Sequence, residues 1–435
     1  MENPLLSLGT ELAFDRIQAE HVGPGLAELI RRTAQALDAI EADESPPTYD
    51  STLGALERAT EELELATSIV EHLESVATTP AYRKAYNEML PEVTATFAGI
   101  PLRERLFQRL SAFSETAEAR SLDGTRARFL EKTLADFRRH GARLDAAGKE
   151  RLRSLDRELT LLTNRFAQNV LDDTNAFELS IDDASKLRGL PESALEAARE
   201  AAKSKGQAGY RLTLQAPSVT AVLTYADDAG LRQTIWRAYN GRALSSQHDN
   251  QPLIAKILEL RREKANLLGF AHFADLVTEE RMAKTGAQAK AFVDDLSRKS
   301  EPAFERERRE LLAFRRELEG DAAPELAPWD VGYYSEKLKK ARYSFDDEEL
   351  RPYFSFERVL EGAFGLAERL FGVTIAPGES AHVWDPAVRS FVMRDAGGRE
   401  LGAFTVDPFP RENKRGGAWM HGFLTAVPPA RHAAV

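Results

Sequence analysis

Eight histidines and a large set of carboxylates are the residues here that could hold a metal and activate water. A helix-borne zinc hydrolase site needs two histidines four residues apart, so that both imidazoles reach one ion from adjacent turns. No pair is that close. The nearest two, His421 and His432, are eleven positions apart in a stretch rich in Pro and Ala. His72 lies between Glu71 and Glu74 and reads as a partly buried helix histidine rather than a ligand. His272 and Asp275 are one turn apart, which suits a surface hydrogen bond better than a metal. His140 precedes Gly141 and fits a helix C-terminus, where a donor meets free carbonyls. His248-Asp249 reads as a capping loop.

Other chemistry-bearing patterns are equally bland. The chain has no Gly-x-x-x-x-Gly-Lys phosphate loop, no Gly-x-Ser-x-Gly elbow and no Gly-x-Gly-x-x-Gly turn. Asp346-Asp347-Glu348-Glu349 suits a helix N-terminus, where the dipole favours negative charge. Arg306-Glu307-Arg308-Arg309-Glu310 reads as a solvated helix face with one-turn ion pairs. Spacing alone therefore names no catalytic residue and no metal ligand.

One stretch does point to binding. From Arg389 to Arg394 the apolar residues loosely alternate, with Phe391 and Met393 on one side. Asp395-Ala396-Gly397-Gly398 supplies turn chemistry, and the return run to Val406 puts Gly402, Phe404 and Val406 on one face. This predicts a small antiparallel hairpin or sheet near 381–407, closed by Pro408 and Pro410. A hairpin among helices leaves a strand edge whose N–H and C=O groups can pair with an extended peptide. Gly402, Ala403 and Phe404 are the candidate substrate-binding residues on that edge.

The elements that must position this hairpin are helical. Residues 24–30, 53–76 and 80–101 read as helices, with a start at Gly23-Pro24 and a cap at Asp50 or Ser51. Pro91 and Pro101 are expected to kink or divide the third. Leu152, Leu155, Leu159, Leu162, Phe166 and Val170 form one apolar stripe, which predicts a long helix in an antiparallel pair, an internal hairpin over a coiled-coil dimer. Short strands are expected at 177–181 and 210–214, and long helices at 251–267 and 287–319, ending at Gly269 and Gly320.

Composition bounds the function. Charged residues at 29% and hydrophobic ones at 43% fit a globular protein of two or three lobes. A net charge of −11 argues against nucleic acid and anionic membrane as partners. Without cysteine there are no disulfides and no thiolate metal sites. No apolar run approaches the roughly 18–20 residues of a membrane span. Met1-Glu2-Asn3-Pro4 does not begin like a signal peptide, and a cytoplasmic protein is expected.

Several stretches, in order, resemble the M3 family of zinc oligopeptidases, the thimet oligopeptidase, oligopeptidase A and peptidyl-dipeptidase type. They include residues 209–217, Ala238-Tyr239 with Arg242, residues 258–270, Arg281-Met282-Ala283 and Pro328-Trp329-Asp330 with Tyr333-Tyr334. Tyr353-Phe354, residues 370–373, the hairpin and residues 410–419 continue the series. The resemblance implies a mainly α, neurolysin-like architecture whose deep helical channel admits short peptides. It implies domains at 1–180 (an N-terminal helical lobe) and 181–425 (the first portion of the catalytic region). Residues 426–435 fall outside the likeness and are expected to be disordered.

The resemblance also implies zinc for the full-length family, held by a His-Glu-x-x-His helix and a later glutamate. None of these maps onto the present residues. The chain is therefore expected to be truncated at roughly two thirds of a full-length member, with no cofactor of its own and no activity alone. Two other readings stand beside this one: a non-catalytic peptide-binding or scaffold protein, and one half of a split peptidase completed by a second chain. Bare apolar surface around the hairpin is a further expectation.

Overall fold

The computed structural model describes residues 3–9, 12–244, 247–344, 346–378, 382–424 and 433–434. The chain is mainly helical. Helices α1 (Ala19–Ala42), α2 (Leu53–Ala77), α3 (Pro80–Gly99), α4 (Glu104–Ser114), α5 (Ala117–Arg120) and α6 (Gly124–Arg139) lead into the long α7 (Ala146–Ala176). Then come β1 (Glu178–Ile181), α8 (Glu192–Lys203), β2 (Tyr210–Thr213), α9 (Ala216–Tyr225), α10 (Ala229–Asn240), α11 (Gln251–Leu267) and α12 (Phe273–Thr278). Helices α13 (Gly286–Glu319), α14 (Val331–Tyr343), α15 (Asp347–Leu350) and α16 (Phe356–Phe371) precede β3 (Thr374–Pro377), β4 (Arg389–Arg394), β5 (Glu400–Val406) and β6 (Ala433–Ala434).

Two compact units result. One comprises residues 1–164, 256–277 and 366–435, the other residues 165–255 and 278–365. In the first unit, α1, α2 and α3 bury Val22, Leu26, Leu29, Leu63, Ile69, Val70 and Tyr82 in one core, onto which Trp384, Phe423 and Leu424 pack. A second core joins Leu53, Leu106, Leu110, Phe113, Leu130 and Phe137. The leucine stripe of α7 buries Leu152, Leu155 and Leu159. Its charged flank pairs Arg151 with Glu263, Asp156 with Lys264 and Glu158 with Lys256 of α11. Ascending numbers on α7 meet descending ones on α11 at the two outer pairs, an antiparallel pair within the chain but not the expected hairpin, since α11 is distant in sequence.

In the second unit, β1 and β2 pair antiparallel from Glu178↔Thr213 to Ile181↔Tyr210. They pack with α8, α9 and α10 around Leu187, Leu212, Val222 and Ile235. Asp330 is buried between two arginines: it accepts from Arg232 at 2.7 Å and from Arg315 at 3.1 Å. The Arg232 guanidinium also lies 4.0 Å above the Tyr333 ring.

Local corrections have local causes. Helix α1 starts at Ala19, before Gly23-Pro24, because Gln18 and His21 form a reciprocal cap upstream. Helix α2 starts after Thr52, whose hydroxyl donates back to Thr48 O, rather than after Asp50 or Ser51. Helix α3 runs through Pro91 and ends before Pro101, which lies in a short 3-10 turn. The hairpin has gained two neighbours, for β3 pairs with β4 and β6 with β5, so the sheet order is β3-β4-β5-β6.

Candidate functional site

The hairpin forms in the register its alternation requires. Phe391 faces Phe404, Val392 faces Ala403 and Met393 faces Gly402, with an irregularity at Met393/Arg394 where the turn begins. The Phe391 and Phe404 rings stack with centroids 5.4 Å apart. The turn closes because the Asp395 carboxylate accepts from the N–H groups of Gly397 and Arg399, each at 3.0 Å. Gly398 takes φ +81°, a conformation that favours glycine.

The three candidate edge residues lie together in the middle of β5. Gly402 is buried and Ala403 exposed. Beside them, on the side away from β4, runs β6 in parallel register, Gly402↔Ala433 and Ala403↔Ala434. The pairing shows that an extended backbone fits this edge. Ala433 and Ala434 belong to the 426–435 stretch expected to be disordered; the rest of that stretch, with His432, lies outside the described residues.

Beyond Val406, Asp407 gathers four donors. Oδ1 accepts from Arg411 Nη1 at 2.8 Å and lies 3.1 Å from Lys414 Nζ. Oδ2 accepts from Arg411 Nη2 at 2.7 Å and from Trp384 Nε1 at 3.0 Å. Burial pulls this carboxyl pKa up, but the Arg411, Trp384 and Lys414 donors outweigh it and hold it below the usual carboxylate range. The segment after Asp407 caps α2, whose last carbonyls have no partner within the helix. Val76 O accepts from Arg411 Nη2 at 3.0 Å and Ser75 O from Arg415 N at 2.7 Å, while Thr78 N donates to Asn413 O. In the sequence, residues 410–419 carry the family resemblance and Pro410 closes the strand. The spacing of Asp407, Arg411 and Lys414 was the available signal, but nothing in it says that α2 is the partner.

The histidines are scattered. His72 is buried in α2, edge-on to Trp384 at 4.3 Å and near Phe14, Phe423 and His421. Burial pushes its pKa down to about 3, and among the described residues neither ring nitrogen has a hydrogen-bond partner. His421 stacks on Phe423 and shares a 2.7 Å contact with Ser68 Oγ. His140 caps α6, its Nδ1 against Asp136 O. Asp249 caps α11 through Gln251 N, and Asp275 N bonds the His272 carbonyl. His382 pairs with Asp15 at 2.9 Å. Among the described residues no group of three or more His, Asp or Glu side chains could hold a metal ion. The His72 and His421 rings meet edge to face with no group of three ligating side chains forming around them, so the described residues do not fit a zinc site.

A mainly helical chain with small sheets agrees with the comparisons. Residues 26–149 match the neurolysin/thimet oligopeptidase N-terminal domain, and residues 222–433 match peptidase family M3. The chain belongs to the M3 family. It is 35% identical over 425 residues to oligopeptidase A of Salmonella typhimurium, covering 97% of this chain and 62% of that relative. Oligopeptidase A of Escherichia coli is 34% identical over the same shares, and dipeptidyl carboxypeptidase of Salmonella typhimurium is 30% identical over 94% of this chain and 61% of its own. The chain thus spans less than two thirds of the length of these relatives. Among the described residues no helix is long and apolar enough to cross a membrane.

Proposed function

We propose that these 435 residues are the peptide-holding framework of an M3 oligopeptidase, and that by themselves they bind short peptides without hydrolysing them. A peptide would lie in extended form along Gly402, Ala403 and Phe404, in the place of Ala433–Ala434. The observation that carries this is the β5–β6 pairing: the edge accepts main chain with no side-chain recognition required. Family membership supports the substrate class, since the relatives are named as oligopeptidases and dipeptidyl carboxypeptidases.

The inactivity rests on the donor set. In this family zinc lowers the pKa of a bound water so that it can attack a peptide carbonyl. No His-x-x-x-His pair occurs in the sequence to hold the ion. A cytoplasmic location goes with this reading, and one relative is named a probable cytosolic oligopeptidase A. The test combines an internally quenched nonapeptide, Zn²⁺ and the purified chain. Anisotropy of a labelled copy should show saturable binding, while fluorescence release stays at the no-protein rate. Chelator-sensitive release would refute the inactivity, and absence of binding would refute the edge.

A further inference from the structure

The β4–β5 hairpin has β3 along β4 up to its turn, with Thr374 opposite Arg394, and its other end is held by side chains. At its turn, the bonds of the Asp395 carboxylate stay inside the hairpin, with Gly397 N, Arg399 N and Arg399 Nε. At the other end, Asp407 follows directly after β5 and is held from two directions. Arg411 grips both carboxylate oxygens and also donates to Val76 O at the end of α2. Trp384 donates to Oδ2 and rests its ring edge-on against His72, five residues before the end of α2, and against Phe14 at 5.1 Å. Lys414 is 9% exposed and donates to the Asp407 carbonyl at 2.7 Å and the Phe409 carbonyl at 3.1 Å. Two carboxylates, Asp407 and Asp385, balance the two cations Arg411 and Lys414, with Arg411 Nε 3.3 Å from Asp385 Oδ2. A half-buried cluster with balanced charge and shared donors favours one geometry, because displacing any member leaves another charge poorly paired.

We propose that Asp407 is the positioning residue of the Gly402–Phe404 edge: it fixes where β5 lies against α2, and with it where a bound peptide lies. This rests on the peptide-edge reading above. Phe404 is three residues from Asp407, about 10 Å along an extended strand. A strand anchored at that distance takes its placement against α2 from the anchor, while β4 and β3 hold the sheet beside it. The residue touches no peptide itself and acts through the strand.

The test compares full-length variants by amide exchange and by anisotropy of a fluorescein-labelled, randomised nonapeptide pool. Asp407→Asn keeps the shape and removes the charge. It should speed exchange of residues 400–406 at least tenfold, leave residues 60–70 of α2 unchanged, and weaken pool binding at least tenfold. Asp407→Asn with Lys414→Met restores the charge balance and should rescue neither readout. Asp395→Asn loosens the turn and should leave pool binding within twofold. Should Asp407→Asn disturb α2 as well, Trp384→Phe is the milder arm; it removes one donor, keeps the ring contact and should give a three- to tenfold effect on residues 400–406. The proposal falls if exchange of 400–406 stays within twofold in Asp407→Asn, if the double variant recovers, or if Asp395→Asn weakens the pool as much. Amide exchange decides the positioning role even where the parent chain fails to bind the pool, an outcome that would sink the peptide-edge reading alone.

Discussion

Arg232 and Asp330, 98 residues apart in sequence, meet at 2.7 Å in the interior of the second unit, and both are almost fully buried. Arg315 reaches the other Asp330 oxygen, so one carboxylate serves two guanidinium groups. Removing the shared acceptor takes the carboxylate from buried Arg232 and leaves Arg315 with Glu319 at 3.1 Å. Asp330→Ala should lower the stability of this unit by about 3–5 kcal/mol, read as a shift in the urea midpoint. An unchanged midpoint would mean that the cluster contributes nothing net.

His72 sets an acid limit on the first unit. Its folded pKa of about 3 lies well below the ordinary 6.5 because burial disfavours the imidazolium. The unfolded chain therefore takes up a proton that the folded chain refuses. The resulting stability is complete above pH 6.5 and is lost as pH falls toward 3. By pH 5 the loss is about 2 kcal/mol. His72→Leu should flatten melting temperature against pH between 5 and 7. Because both ring nitrogens lack partners among the described residues, the substitution should cost little at pH 7. A variant that keeps the parent slope would assign the acid sensitivity elsewhere.

The α7–α11 pair separates packing from charge. Leu155 is fully buried on the stripe, and Leu155→Ala should cost about 2–5 kcal/mol. Arg151 and Glu263 are each about two-fifths exposed, and Arg151→Ala should cost under about 1 kcal/mol. Thermal denaturation of the two variants side by side gives the order, and equal losses would contradict it.

Helix α13 carries one apolar stripe that is only half covered. Leu311 packs with Tyr333 and Tyr334 of α14, whereas Phe292, Val293, Leu296 and Phe304 are exposed. Exposed apolar rows of this kind promote association. The double change Phe292→Ser and Leu296→Ser should lower the apparent mass in light scattering at tens of micromolar. A parent chain that is already monodisperse and monomeric there would remove the basis for the expectation.

Much of this molecule was legible in residue order because the forces involved are local. A stripe at steps of three and four makes α7 a helix whatever lies beside it, and Gly269 and Gly320 end α11 and α13 by taking φ of +84° and +95°. Alternation plus Asp395-Ala396-Gly397-Gly398 specifies both the hairpin and its register, since a one-residue slip would part Phe391 from Phe404. The position of Gly402, Ala403 and Phe404 side by side on β5 follows from that register alone.

What residue order could not show is who meets whom across long separations. The start of α1 depended on a Gln18–His21 cap that no strong N-cap residue advertised. That β3 joins β4, that Ala433–Ala434 lie along β5, and that residues 411–415 cap α2 are all pairings between distant segments. Main-chain hydrogen bonds carry no side-chain signature, so any strand or loop of suitable length could have supplied them. The neutrality of His72 likewise came only from the rings of Phe14, Trp384 and Phe423 closing around it, because desolvation depends on every neighbour at once.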